Sequence, residues 1–342
     1  MKVVFSEEHR KHFPQGELSG GELVTPFERP SRMEYILREL KARKLDDMMA
    51  PHKLDMKPLR CVHDKGFIGF LKTAWDEWTA AGFRGEIIPT GFPMRRMQLR
   101  VPRHIDGKAG YYALATETAI TAGTWEAACA SASVAQTAQR LVAGGAGSAF
   151  ALCRPPGHHA ASDMYGGYCF FNNAAMAAQM FIDQGAARVA ILDVDFHHGN
   201  GTQDIFYDRD DVLFVSLHGR PEDAFPYFLG YAGETGKGKG EGCNVNYPMA
   251  PGTPYGVWGK ALDRACRKIR NYGPDALVVS LGVDTFKEDP ISFFKLESTD
   301  FFTYGARIAR LKLPSLFVME GGYAIEAIGI NTVNVLQGYL GG

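Results

Sequence analysis

The sequence predicts a single α/β domain, a central and mostly parallel sheet covered by helices on both faces. Three observations carry this expectation. Short apolar and β-branched runs alternate with amphipathic helical stretches. Several of the strand-like runs are apolar throughout, as strands buried on both faces are. The residues able to do chemistry fall just after strand-like runs, where open parallel sheets bind their ligands. With 342 residues, 46% of them hydrophobic, the chain can bury one large core.

The elements follow in order. KVVF (2–5) reads as a strand and RMEYILRELKAR (32–43) as a helix. Residues 82–110, GFRGEIIPTGFPMRRMQLRVPRHIDGKAG, break the rhythm. They are rich in Gly, Pro and Arg and have no period, so a lid, channel wall or subunit contact is expected there. SAFALC (148–153) is the next strand, and NNAAMAAQMFIDQG (172–185) the helix after it. RVAILDVD (188–195), VLFVSL (212–217) and NVNYP (244–248) are further strands, followed by the helix YGVWGKALDRACRKIRNYG (255–273). DALVVSLGV (275–283), the helix TDFFTYGARIARLK (299–312) and PSLFVME (314–320) close the series. There is no internal repeat, so 1–342 reads as one domain.

Charge and cysteine usage bound the function. Lys and Arg number 37 against 38 Asp and Glu, a balance without the footprint of a nucleic-acid or anionic-membrane binder. The six cysteines, Cys61, Cys129, Cys153, Cys169, Cys243 and Cys266, show no C-x-x-C pair. Reduced thiols in a cytoplasmic protein are the expectation. MKVVFSEEHRKHF turns charged after three apolar residues, without a signal-peptide core, and no apolar run reaches the ~20 residues of a membrane span.

Five segments at strand ends hold the chemistry: RPPGHHA (154–160), DVDFHHG (193–199), SLHG (216–219), GVDTF (282–286) and EGGY (320–323). In an extended chain alternate side chains share a face, so Asp193, Asp195 and His197 point one way and His198 the other. Two carboxylates and an imidazole suit a divalent first-row metal, with Asp284 as a further ligand. The plainer alternative is a set of hydrogen-bonded carboxylates beside a capping histidine. His158 and His159, on a turn stiffened by two prolines, suit metal binding or general base work. Tyr323, after two glycines, suits donation to a developing oxyanion. Tyr168, in Gly-Gly-Tyr, and Phe225, in a Pro-flanked loop, are candidates for a channel lining.

RPPGHHA, GGYCFFNN, ILDVDFHHGNGTQDIF, SLGVDTF and MEGGY together resemble the histone deacetylase family, of the arginase–deacetylase fold, over almost the whole chain. GELVTPFE (21–28), TAWDEW (73–78), the 82–110 insertion, AFPYFLGYAGETGKG (224–238) and DPISFFKL (289–296) narrow the resemblance to its bacterial acetylpolyamine amidohydrolases. The resemblance implies an eight-stranded sheet with the active site at the C-terminal strand ends. It implies one Zn2+ held by Asp195, His197 and Asp284, with Fe2+ or Co2+ as substitutes. His159 would be the general base, His158 its electrostatic support and Tyr323 the oxyanion donor. Asp193, in this likeness, bonds His158 rather than the metal.

One or two K+ ions are implied as well. The first would use Asp193, Asp195, His197, Ser216 and Leu217, and the second the carbonyls of Phe206, Arg209, Val212 and Cys243. Asn200 stands where some deacetylases carry an aspartate, which alters the partner of His159. Phe286 and Gly199 stand where a binuclear manganese site of the arginase kind needs carboxylates, so a second catalytic metal is not expected.

The function so implied is hydrolysis of the N-acetyl amide of a small cationic acetylated polyamine. Tyr168 and Phe225 would flank the aliphatic chain, and Asp106 and Glu117 would meet the distal ammonium. The insertion would build a homodimer and narrow the channel. Its Arg84, Arg95, Arg96, Arg100 and Arg103 are assigned to structure or the subunit contact. The alternatives are an acetyl-lysine deacetylase with the same chemistry and a wider channel, and a non-catalytic metal-binding module. A base and an oxyanion donor have no place in the latter. An RNA contact through the arginines lacks both net positive charge and an aromatic stacking motif.

Overall fold

The computed structural model describes every residue of the chain except Arg95 and Met97. Its strands are β1 (Lys2–Val4), β2 (Glu17–Ser19), β3 (Glu22–Val24), β4 (Met48–Met49), β5 (Ser148–Ala151), β6 (Val189–Asp193), β7 (Val212–Gly219), β8 (Asn244–Met249), β9 (Ala276–Leu281) and β10 (Ser315–Met319). Eight of them form one sheet in the order β4-β1-β5-β10-β9-β6-β7-β8, and every neighbouring pair is parallel. β2 and β3 make a separate antiparallel hairpin.

The helices are α1 (Ser31–Ala42), α2 (Met56–Val62), α3 (Lys65–Ala80), α4 (Ile105–Tyr111), α5 (Thr124–Ala143), α6 (Asn173–Asp183), α7 (Asn200–Phe206), α8 (Tyr255–Tyr272), α9 (Ser298–Ala309) and α10 (Ile325–Gly341). Local chemistry sets their ends. The Asn172 side chain accepts from the Ala175 N–H (2.9 Å) at the start of α6. Gly273, at φ 64°, ends α8 in the left-handed conformation that glycine adopts without strain.

The apolar runs lie between two layers. On β6, Val189 and Ile191 pack with α2, α3, α5 and α6, whereas Ala190 and Leu192 pack with α1, α8, α9 and α10. The same alternation splits Leu316 and Val318 from Phe317 and Met319 on β10. Each face is covered, so neither set of alternate positions is polar. Because the strands are parallel, all their carboxyl ends open on one edge, and the chemistry-bearing loops gather there.

Two expectations are corrected. The strand in 188–195 ends at Asp193, so the alternating-face argument stops there too. Asp193 Oδ1 accepts from the Asp195 N–H (3.1 Å), and Asp195 Oδ1 from the His197 N–H (2.8 Å). These two successive aspartate turns replace the ladder and set Asp195 and His197 in a bend. The 82–110 segment is partly regular. Ile87 pairs antiparallel with Ile120, and α4 is tied to α3 by Lys108 Nζ and Glu77 Oε2 (2.6 Å). Arg95, one of the five arginines assigned to structure or the subunit contact, lies outside the described residues, and the other four are exposed.

Ile191 is fully buried in the middle of β6, an interior strand of the sheet. Ile191→Ala is expected to cost about 2–5 kcal/mol in chemical denaturation. Leu340→Ala, at a 44% exposed position, should stay within about 0.5 kcal/mol. Equal costs would refute the two-layer account.

Candidate active site

Backbone donors fasten the loops of four strands to one another. The Gly157 and His158 N–H groups, after β5, both donate to Glu320 Oε2, just past β10 (2.7 and 3.2 Å). The Gly321 N–H donates to Asp195 Oδ2 (2.8 Å) and the Phe196 N–H to Asp284 Oδ1 (2.7 Å). Each carboxylate thus bridges two loops, and the side chains meet as a consequence.

Asp195, His197 and Asp284 are buried and offer ligand atoms within 4.8 Å of one another. His197 Nδ1 lies 2.9 Å from Asp284 Oδ2 and 3.3 Å from Asp195 Oδ1. Burial, and then repulsion from Asp195, pushes Asp284 up to about 8. A cation among these oxygens removes that repulsion. A Cβ on Gly321 would stand 2.6 Å from Asp195 Oδ2, 2.7 Å from Asp284 Oδ2 and 3.2 Å from the Tyr323 hydroxyl. The oxygen donors and the tyrosine therefore face one small space that only glycine leaves open. The donor set fits a divalent first-row metal. A second buried trio, His158, Cys169 and Glu320, has similar proximity. Burial holds its thiol well above the usual range, and Glu320 Oε2 is taken by backbone N–H groups, so this trio is a poorer metal site than the first.

The two histidines differ through their partners. His158 Nδ1–H donates to Asp193 Oδ2 (3.0 Å). Burial lowers its pKa, but the Asp193 and Asp195 charges outweigh burial and raise it to about 10. His159 Nδ1–H donates instead to Asn200 Oδ1 (2.6 Å), a neutral amide. Burial, then the charges of His158 and His197, hold it well below the usual imidazole range. His159 is neutral, with the Nε2 lone pair free to accept a proton. Burial also keeps the Tyr323 hydroxyl protonated, although Arg32 pulls the other way.

A cavity of about 320 Å³ opens above these groups, lined by His159, His197, Tyr323, Tyr168 and Phe225 among others. The Phe225 ring meets His159 edge-on at 5.0 Å. Tyr168 is fixed at both ends: its N–H donates to Thr118 Oγ1 (2.8 Å) and its hydroxyl to Glu17 Oε1 (2.6 Å). Glu117 lines the same cavity and accepts from the Gly167 N–H (2.6 Å). Glu17 was invisible in the sequence. It lies on a three-residue strand without legible alternation, and meets Tyr168 from 151 residues away.

Asp106 does not line this cavity. It lies in the first turn of α4 and borders a separate hollow of about 440 Å³ with Phe92, Leu99 and Arg100. His198 bonds Gln203 Oε1 (3.1 Å) and packs on His218, away from the cluster. The expected potassium residues lie on and beside neighbouring strands. Asp193 and Ser216 are register partners on β6 and β7. Phe206, Arg209 and Val212 run from the end of α7 into β7, and the Cys243 carbonyl accepts from the Phe214 N–H of β7 (2.9 Å). No helix among the described residues is long and apolar enough to cross a membrane.

Residues 26–339 match the protein family described as histone deacetylase domain. The whole chain is 59% identical to acetylpolyamine amidohydrolase 1 of Pseudomonas aeruginosa, covering 99% of it. It is 58% identical to acetylpolyamine amidohydrolase of Mycoplana ramosa over all of both chains. Among solved structures, acetylpolyamine aminohydrolase of Burkholderia pseudomallei is similar at 38% identity with a TM-score of 0.94, over 99% of this chain and 98% of that one.

Asn200→Asp places a carboxylate beside His159 Nδ1 and so favours the charged ring. The His159 pKa is expected to rise by about one to three pH units, read by NMR titration of the metal-free protein. An unmoved titration would mean that the charge of the group at Nδ1 does not set the state of this ring.

Proposed function

Because the chain belongs to the histone deacetylase family, we propose that it is a metal-dependent hydrolase that removes the acetyl group from acetylated polyamines, releasing acetate and the free amine. One observation carries the reading. A single cavity is lined by His197 of the buried Asp195–His197–Asp284 trio, by a neutral histidine and a protonated tyrosine, and by Glu17 and Glu117. The full-length likeness to relatives named acetylpolyamine amidohydrolase supports the substrate class.

Asp195, His197 and Asp284 would hold one zinc ion, with iron(II) or cobalt(II) as substitutes for so oxygen-rich a donor set. When bound, the ion supplies Lewis acidity, polarising the acetyl carbonyl and lowering the pKa of water towards ~7. His159 Nε2 takes the proton of the attacking water, because its Nδ1–H is committed to Asn200. The same nitrogen then returns the proton to the departing amine. His158, kept charged by Asp193, stabilises the negative charge that builds beside it. Tyr323 donates to the carbonyl oxygen as it becomes an oxyanion.

Tyr168 and Phe225 enclose the methylene chain, and Glu17 and Glu117 attract the ammonium beyond it. Potassium at Asp193, Ser216 and Leu217 would steady the strand ends below. The insertion exposes Phe92, Met94, Leu99 and Val101 on a single copy. We assign that face to a homodimer, in which one subunit's entrance is completed by its partner's insertion. Asp106 comes to face substrate in that arrangement. The six unpaired cysteines suit a reducing, cytoplasmic location.

Acetate release should be compared for acetylputrescine, acetylcadaverine, acetylspermidine and an acetyl-lysine peptide. Higher kcat/KM for the small amines is expected, and the reverse order would favour a protein deacetylase. Size-exclusion chromatography should give a dimer. A monomer would remove the shared entrance while leaving the chemistry intact.

A further inference from the structure

Asp289 lies five residues beyond Asp284 and is nearly fully buried. The hydrogen bonds its carboxylate accepts all come from backbone, while its charge is felt by His197 and Asp284. Asp289 Oδ2 accepts from the N–H groups of Tyr323 (2.7 Å) and Ala324 (3.2 Å), and Oδ1 from the Ile291 N–H (3.2 Å). The Asp289 N–H donates in turn to the Phe286 carbonyl (3.0 Å), on the turn that carries Asp284. One residue therefore ties together the Asp284 turn, through its own N–H, and the cavity wall at Ile291 and the backbone of Tyr323, through its carboxylate.

The Tyr323 backbone needs such a tie. Gly321 and Gly322 precede it, and Gly322 sits at φ 130°, a conformation open to glycine and closed to most other residues. From the other side, Arg32 Nε donates to the Gly322 carbonyl (2.8 Å), and Arg32 Nη2 to the Glu320 carbonyl (2.5 Å). Arg32 holds carbonyl oxygens, and leaves the N–H groups of Tyr323 and Ala324 to Asp289. Those two N–H groups immediately precede α10, where helical geometry supplies no partner. A carboxylate accepts them with charge-assisted bonds, stronger than neutral ones.

We propose that Asp289 is a positioning residue for the reaction, setting the place of the Tyr323 hydroxyl through the Tyr323 and Ala324 backbone. The inference rests on the reading of Tyr323 as oxyanion donor. Asp289→Asn keeps the volume and loses one of the two acceptors. A misplacement of about 1 Å typically costs on the order of 10²-fold in rate. The variant is therefore expected to lose roughly 10- to 100-fold in kcat, with KM within about twofold.

The test is a double-mutant cycle with Tyr323→Phe. In that background, Asp289→Asn should cost no more than about twofold, because the group it positions is gone. A crystal structure of Asp289→Asn should show the Tyr323 hydroxyl displaced, with the Arg32 contacts kept. Equal losses in both backgrounds, a rise in KM alone, or an unchanged kcat would each overturn the proposal. If Asp289→Asn does not fold, Asp289→Glu serves, since it keeps the charge and moves it by one methylene. Near-normal turnover by Tyr323→Phe alone would instead sink the reading of Tyr323, so the two failures are distinguishable.

Discussion

The structure depends on buried negative charge at one edge of the sheet. Asp193, Asp195, Asp284 and Glu320 are fully buried there, and Asp289 almost so. Isolated carboxylates are expensive to remove from water, so each must be matched by donors or by a cation. Backbone N–H groups supply much of the match, from Gly157, His158, Asp195, Phe196, His197, Gly321 and Tyr323. These donors come from loops that follow different strands. Satisfying the carboxylates therefore also assembles the site, and the remaining repulsion between Asp195 and Asp284 is what a metal relieves.

The same compensation divides the histidine pair. His158 and His159 are adjacent and equally buried, with ring centroids 4.1 Å apart. One faces a carboxylate and the other an amide: the Asp193 and Asp195 charges hold the first ring charged, and burial with the nearby positive rings holds the second neutral. The charged ring then helps keep its neighbour neutral. A proton acceptor and a fixed positive charge arise side by side from the partners Asp193 and Asn200.

Much of this was legible from local pattern. Unbroken apolar runs marked β6, β7, β9 and β10, because both faces of those strands are covered. The two-residue β4 and the β2–β3 hairpin left no readable period, being too short for alternation to stand out. The segment 82–110 looked aperiodic because its order comes from a single bridge at Ile87 and the short α4. Glu17 and Asp289 were not singled out, since their partners, Tyr168 and Tyr323, lie 151 and 34 residues away.

The sequence by itself determined which chemical groups are present and that they follow strands of one parallel sheet. Its motifs also marked the family, because long ordered motifs tolerate little coincidence. Spacing placed Asp193, Asp195 and His197 on one extended face, and the resemblance separated Asp193 from the other two. Only the tertiary structure supplied the physical reason. Two aspartate turns end the strand at Asp193 and direct its carboxylate to His158. Tertiary structure alone decided the protonation of His159, the tie on Tyr323 and the place of Asp106 outside the cavity that holds His159 and Tyr323. Each of these depends on which atoms a side chain meets across the fold, and alternation along one strand carries no record of such meetings.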